Sequence, residues 1–195
     1  MVFSSYQNIG SFIKFDHIDA NSLNLYNGGG RNESYIVNTL SEDLRLALRQ
    51  WTTGVCVVCS QQAENLHGMT VNSFTSVSLD PPIISVSLAK DTRTLHLVQE
   101  SGKFSISILR EDQKNIADRF AGKILDNGDR FKGLDTFVLP DGGIAFQNAL
   151  AWLECRVRTQ IVLENSTLYL ADVTFASVYK TEKPLIYHNR RYLSI

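Results

Sequence analysis

With 195 residues, 44% hydrophobic and 20% charged, the chain is sized for one domain with an appended arm and is apolar enough to bury a core. A formal net charge of −1 gives no basic footprint for nucleic acid or for an anionic membrane surface, and no apolar run is long enough to span a bilayer. The first residues lack a basic region followed by an apolar core and are short of Arg, so neither a secretory signal nor a mitochondrial presequence is expected, and the location expected is cytoplasmic.

Residues 1–38 carry scattered aromatics (Phe3, Tyr6, Phe12, Phe15, Tyr26) with no period of 2 or 3.6. Gly28-Gly29-Gly30 marks a flexible joint, and no Lys-Ser/Thr follows to make it a phosphate loop. These residues read as an arm that packs on the domain or on a second subunit, leaving 39–195 as the domain. Ser41 is placed to cap a helix with Glu42 and Asp43 in its first turn. Leu44, Leu48 and Trp51, at i, i+4 and i+7, give that helix one apolar stripe, and Gly54 ends it. Residues 54–60 then read as a strand. Cys56 and Cys59, three apart on it, point to opposite faces and are poorly placed for a shared metal or a disulfide. Together with Cys155 they are expected to be buried and reduced. The polar tip 61–65 leads into a hairpin.

The stretch 67–90 is the most distinctive. It opens on a small-residue turn at His67-Gly68 and carries Thr70, Asn72, Ser73, Thr75, Ser76 and Ser78. It breaks at Asp80-Pro81-Pro82, then runs through apolar residues 83–88 to Ala89-Lys90. Small hydroxyl and amide side chains let backbone N–H and C=O groups approach a flat polar ligand closely. Beyond Lys90, Asp91 or Thr92 caps a short helix reaching Glu100, with Leu95 and Val98 inward and Ser101-Gly102 as the stop. Residues 103–110 alternate, Phe104, Ile106 and Ile108 against Ser105 and Ser107, as a half-buried strand does. Residues 111–120 read as a helix with Ile116 and Phe120 on one side, and 123–143 as a long surface loop. In the last third, Ala151, Leu153, Cys155, Val157, Thr159 and Ile161 share one strand face; Trp152, Glu154, Arg156 and Arg158 share the other. Residues 164–166 turn the chain into a strand over 167–178. A final hairpin from Pro184 has Tyr187 and Tyr192 flanking residues 188–191. The sum is a mainly β protein, a small antiparallel barrel with two or three peripheral helices.

Familiar catalytic sets are missing from this pattern. The four histidines show no zinc spacing, no G-x-S-x-G elbow offers a nucleophile, and no carboxylate pair stands out. Hydride transfer between a nicotinamide and a flavin fits such a chain, because the cofactors carry the chemistry and the protein holds two rings together. Residues 70–73 and 87–89 offer backbone edges to a flavin. Lys90, Thr92 and Thr94, at a helix start, offer a grip on its phosphate.

The ordered segments Thr53-Gly54-Val55, His67-Gly68-Met69-Thr70, Asn72-Ser73-Phe74, Ser76 to Pro82, Ser87-Leu88-Ala89-Lys90, Arg119-Phe120-Ala121-Gly122 and Pro184-Leu185-Ile186-Tyr187 together closely resemble the short-chain flavin reductases. These are the small reductase components of two-component flavin monooxygenases, on the FMN-binding split-barrel fold. The likeness spans about residues 42–195. It implies a homodimer that takes FMN or FAD, reduces it with NADH or NADPH and hands it to a monooxygenase. It also implies that Thr70, Val71, Asn72 and Ser73 meet the flavin ring edge, with Ser76 beside them. Ser87, Leu88, Ala89 and Lys90 then follow the ribityl chain to the phosphate, and Phe120 and Ala121 border the site. In the family a Gly-Asp-His turn presents a histidine to the nicotinamide. Glu164-Asn165-Ser166 stands in its place here, without an imidazole and with an added negative charge. A second function class therefore stays open: an FMN-binding electron-transfer or flavin-carrier protein without direct NAD(P)H oxidation.

Overall fold

The computed structural model describes residues 39–124 and 129–193, so the arm expected over 1–38 lies outside the described residues. In chain order the strands are β1 (Thr53–Gly54), β2 (Cys56–Gln62), β3 (Asn65–Val71), β4 (Thr75–Leu79), β5 (Pro82–Ala89) and β6 (Lys103–Ile108). Then come β7 (Thr136–Val138), β8 (Ile144–Phe146), β9 (Ala151–Val162), β10 (Ser166–Val178), β11 (Ile186–His188) and β12 (Arg191–Leu193). The helices are α1 (Leu40–Leu48), α2 (Arg93–Ser101) and α3 (Lys114–Phe120). None of these helices is long and apolar enough to cross a membrane.

Seven of the strands form one antiparallel sheet in the order β3-β2-β6-β9-β10-β5-β4. Its two edges, β3 and β4, are neighbours in sequence, joined only by residues 72–74. Four Cα steps of 3.8 Å hold Val71 and Thr75 within about 15 Å of each other. The sheet must therefore curl until its edges face one another, although no ladder joins them among the described residues. The result is an antiparallel barrel with a split between β3 and the β4–β5 pair, and three peripheral helices.

The interior of the curl is filled by Cys56, Val58, Val71, Ile84, Val86, Leu88, Phe104, Ile106, Cys155, Tyr169 and Ala171, closed at one end by Leu95 and Val98 of α2. Each fully buried aliphatic or aromatic side chain contributes about 1.5–3 kcal/mol. Outside the barrel, Val57 and Cys59 pack under α3 with Ile116, Phe120, Phe146 and Leu185. Cys56 and Cys59 thus lie on opposite faces of β2 and, with Cys155, are free and buried, as the strand period predicts. Thr92 caps α2, its hydroxyl accepting the Leu95 N–H, and Gly102 ends the helix in the left-handed region at φ 66°. Asp91 does not cap.

Several expectations need correction. Helix α1 begins at Leu40, so Ser41 sits inside its first turn; it ends at Leu48, short of Trp51 and well before Gly54. Its apolar stripe is not buried: Leu44, Leu48 and Trp51 are 55%, 60% and 70% exposed. His67-Gly68 is not a turn but lies mid-strand, opposite Ser60 and Cys59. A Cβ on Gly68 would come within 3.0 Å of both Cys59 Sγ and the Phe120 ring, so the glycine is there to let α3 close on β3. Residues 123–143 are not only loop. Thr136–Val138 pairs with Ile144–Phe146, and Phe131, Leu134 and Phe137 pack inward. That hairpin covers β6 and β9, which explains why Ser105, Ser107, Trp152 and Glu154 are buried where one solvent face was expected. The end hairpin follows its sequence reading, with Tyr187 opposite Tyr192 across a turn whose Asn189 and Arg190 are both left-handed.

Candidate functional site

The split brings together the two segments singled out in sequence. Strand β5 is paired with β10 along one side from Ile83 to Ala89, but on its other side β4 reaches only to Ser85, opposite Thr75. Beyond that point the β5 edge has no strand partner among the described residues. Ser73 bridges the gap: its hydroxyl donates to the Ser87 carbonyl at 2.8 Å and accepts the Ser87 N–H at 3.3 Å. Thr70 anchors the opposite lip by donating to the Ala117 carbonyl of α3 at 2.7 Å. Asn72, Ala89 and Lys90 are exposed around this gap. Lys90 is held at the strand end by its own N–H, which donates to the Asn165 carbonyl. Thr92 Oγ1 ties the helix start back by donating to the Ala89 carbonyl.

Two cavities meet at Asn72. One, of about 170 Å³, is lined by Val55, Thr70, Val71, Asn72, Ala121 and Lys123, with Tyr187 and Tyr192. The other, of about 590 Å³, runs along Trp51, Gly54, Asn72, Ser73, Phe74 and Ile108. Both are open apolar shelves edged by small polar groups, a form suited to a flat ring.

Sequence reasoning did not assign Lys123, Tyr187, Tyr192 or Trp51 to the site. The signal for the tyrosines was available, because a two-residue turn at Asn189-Arg190 sets them directly opposite each other. Their rings sit 5.5 Å apart. Lys123 Nζ lies 4.7 Å over the Tyr192 ring and 2.9 Å from Asp118 Oδ1. The hydrogen bond to Asp118 holds the Lys123 ammonium above its ordinary pKa. Burial raises the Tyr192 phenol, with Lys123 pulling the other way.

Five of the predicted residues have side chains placed away from the site. Thr94 is fully buried and its hydroxyl is 2.8 Å from His67 Nδ1, so it braces α2 against β3 and does not face a phosphate. Phe120, 2% exposed, is core, edge-on to Phe131 and Phe146; only the following Ala121 reaches the cavity. Val71 and Leu88 point their side chains into the barrel and leave only backbone to the split. Ser76 is exposed on β4 opposite Ile84 and lines neither cavity. The 164–166 turn lies at the end of the split, with Ser166 paired to Ala89 and both Glu164 and Asn165 exposed beside Lys90.

The site is thus a split in an antiparallel barrel with a small-residue lip on one side and a lysine at the strand end on the other. Comparison with known proteins defines its class. Residues 48–195 match the flavin reductase like domain, and the chain belongs to that family. It is 34% identical over 151 residues to the NADH-dependent flavin reductase StyB of Pseudomonas fluorescens, covering 76% of this chain and 86% of that one. Its fold superposes on the styrene monooxygenase flavin reductase SMOB of Pseudomonas putida S12 with a TM-score of 0.71 at 33% identity, covering 78% and 97% of the two chains. The Streptomyces globisporus NADH:FAD oxidoreductase SgcE6, solved with NAD and FAD fragments, matches with a TM-score of 0.72 at 28% identity over 78% and 91%.

Proposed function

We propose that this chain is a flavin reductase that moves hydride from NADH or NADPH to FMN or FAD and supplies reduced flavin to a flavin-dependent monooxygenase. The observation that carries the proposal is the gap in the ladder beyond Ser85 of β5, where among the described residues no strand pairs and the Ser73 hydroxyl spans to Ser87, edged by the Thr70–Ser73 lip. The residues fit a flavin. Thr70, Asn72 and Ser73, with the Val71 backbone, suit the polar ring edge. Ser87, Ala89 and the Leu88 backbone follow the side chain outward, and Lys90 meets the phosphate. Tyr187, Tyr192 and Trp51 supply the apolar walls that keep water off a ring. Hydride transfer is the chemistry that a flavin and a reduced nicotinamide would supply there, so these residues would need only to hold the rings and shield them from water, with no acid or base of their own.

In this proposal residues 39–195 form the reductase domain, 1–38 an appended arm, and the working unit is a cytoplasmic homodimer. The dimer is supported by apolar side chains left in solvent: Leu44, Leu48 and Trp51, Val77 and Leu79 of β4, and Ile161, Val162 and Leu163 at the β9–β10 turn. Anaerobic mixing of the protein and FMN with NADH or NADPH tests the activity. Bleaching of the visible flavin band over many turnovers is expected.

A second reading, flavin binding without nicotinamide oxidation, is favoured by one observation. Glu164, Asn165 and Ser166 are set beside Lys90 and contain no imidazole. Under that reading no bleaching follows mixing. Ser166→His decides the turn's role: faster nicotinamide oxidation implicates it, and an unchanged rate removes it from the chemistry.

A further inference from the structure

The way α3 ends fixes a charge at the site. Gly122, just past the helix, is left-handed at φ 72°; its N–H donates to the Arg119 carbonyl, and the Lys123 N–H donates to the Asp118 carbonyl. This pair of bonds is the glycine-terminated cap that satisfies the last carbonyls of a helix. It also locks the residue after the glycine. Lys123 is held a second time by its side chain, whose Nζ lies 2.9 Å from Asp118 Oδ1.

The two cavities that meet at Asn72 carry one charged side chain between them among the described residues, and it is Lys123. Lys90, at the end of β5, lines neither. The smaller cavity therefore sets Thr70 and Asn72, the groups suited to a polar ring edge, beside a single ammonium. An ammonium has three donors; Asp118, which takes one of them, does not line the cavity. Lys114 Nζ also stands 5.9 Å over the Tyr192 ring, so two ammonium groups meet one carboxylate at that ring.

The proposed reaction changes charge in just this place. Hydride transfer from the dihydronicotinamide C4 to the flavin N5 breaks one C–H bond, forms one N–H bond and moves two electrons. It leaves the nicotinamide a cation and adds one negative charge to the flavin, shared by N1 and the C2 carbonyl. The ring that enters is neutral and the ring that results is anionic. A fixed cation in an apolar cavity stabilises the second more than the first. A lysine that only capped α3 would not distinguish them.

We propose that Lys123 is the group that favours reduced over oxidised flavin in this site and so sets the reduction potential of the bound flavin. The assignment rests on the flavin reading above and deepens it. One charge acting over about 10 Å at an effective dielectric constant of about 20 changes affinity by about tenfold. A tenfold difference between the two redox forms is about 30 mV for a two-electron couple.

The full chain is loaded with FMN, its midpoint potential is read by anaerobic spectroelectrochemical titration, and oxidised and reduced FMN are titrated separately. Wild type is compared with Lys123→Met, Lys123→Arg and the double variant Lys123→Met/Asp118→Asn. The Lys123 side chain is 53% exposed, so the variants should fold. Lys123→Met should bind oxidised FMN nearly as wild type does and reduced FMN about tenfold less tightly, lowering the potential by about 30 mV. Lys123→Arg keeps the cation and should keep the wild-type potential; a potential as low as that of Lys123→Met would overturn the proposal. The double variant removes both charges without changing the net charge, and its potential should stay low because Asp118 does not line the cavity. Its return to the wild-type value would trace the single variant's shift to a bared Asp118 and overturn the proposal. So would a Lys123→Met potential equal to wild type, or equal losses for the two redox forms. Failure of wild type to bind FMN at all would instead strike the underlying flavin reading.

Discussion

Ser105 and Ser107 on β6 are the same side chain as Ser73 and Ser87 at the split. On β6 both hydroxyls are enclosed: Ser105 donates to the Ile144 carbonyl and Ser107 accepts the Phe146 N–H, so they fasten the β7–β8 hairpin to the barrel. Glu154 of β9 completes that clamp by accepting the Asp141 and Gly143 N–H groups at 2.8 and 2.7 Å. At the split, Ser73 reaches across a gap in the ladder, and the groups around it stay open to solvent. Hydroxyl content therefore does not mark a site. What distinguishes the two regions is whether another strand arrives to use the backbone beside the hydroxyls.

If the clamp is structural, breaking it should hurt stability and spare ligand binding. Glu154→Ala strands two N–H groups that now bond a carboxylate, a loss of about 3 kcal/mol or more. For a domain of this size that lowers the melting temperature by roughly 10 °C. Flavin affinity, measured below the transition, should be unchanged; a matched fall in affinity would erase the contrast between the regions.

The split should respond the opposite way. Asn72→Asp places a charge where a neutral amide meets the ring and should weaken FMN binding about tenfold, the equivalent of roughly 1.4 kcal/mol. Its melting temperature without ligand should not move, because Asn72 is exposed. Lys90→Ala sharpens the picture within the site. FMN should bind several-fold less tightly while riboflavin, which lacks the phosphate, binds as before. Equal losses for the two ligands would remove Lys90 from the phosphate.

The smallest effect concerns the thiols. Burial pushes Cys56 and Cys155 up to about 12, Cys155 with some help from Glu154, and Cys59 higher still. Unfolded thiols titrate near 8.5. The folded state is thus unaffected by these groups below that pH and loses stability as pH climbs from there toward 12. A thiol reagent at pH 8 should label none of the three cysteines in the folded protein and all three in denaturant. Fast labelling of the native protein would mean that β2 opens locally.

Much of the barrel was legible because local rules and global packing agree. The period of β2 put Cys56 and Cys59 on opposite faces. Thr92 and Gly102 bounded α2, and the polar tip at 61–65 announced a hairpin. The misses share a cause. Alternation shows that a strand has two kinds of face but does not say whether the polar face meets water or a second layer. Ser105, Ser107 and Glu154 were therefore misplaced once residues 136–146 folded over them. Thr94 and Phe120 failed as site residues for the same reason, each being drawn inward by a partner distant in sequence, His67 and Phe146. The α1 stripe reads as a buried face, yet its leucines stand in solvent. In the site itself, the 70–73 and 87–90 segments were visible as small polar runs. The tyrosine pair was legible as a facing pair in the end hairpin but not as a wall of the split, and Lys123 gave no signal, because aromatic and cationic residues occur on any surface.

The central claim is that the split between Thr70–Ser73 and the β5 edge ending at Lys90 binds a flavin nucleotide. Titration of the purified chain with FMN, followed by quenching of flavin fluorescence and by melting temperature, tests it directly. Saturable quenching with a rise in melting temperature is predicted, both diminished in Asn72→Asp. A flat fluorescence titration with an unmoved melting temperature would contradict it.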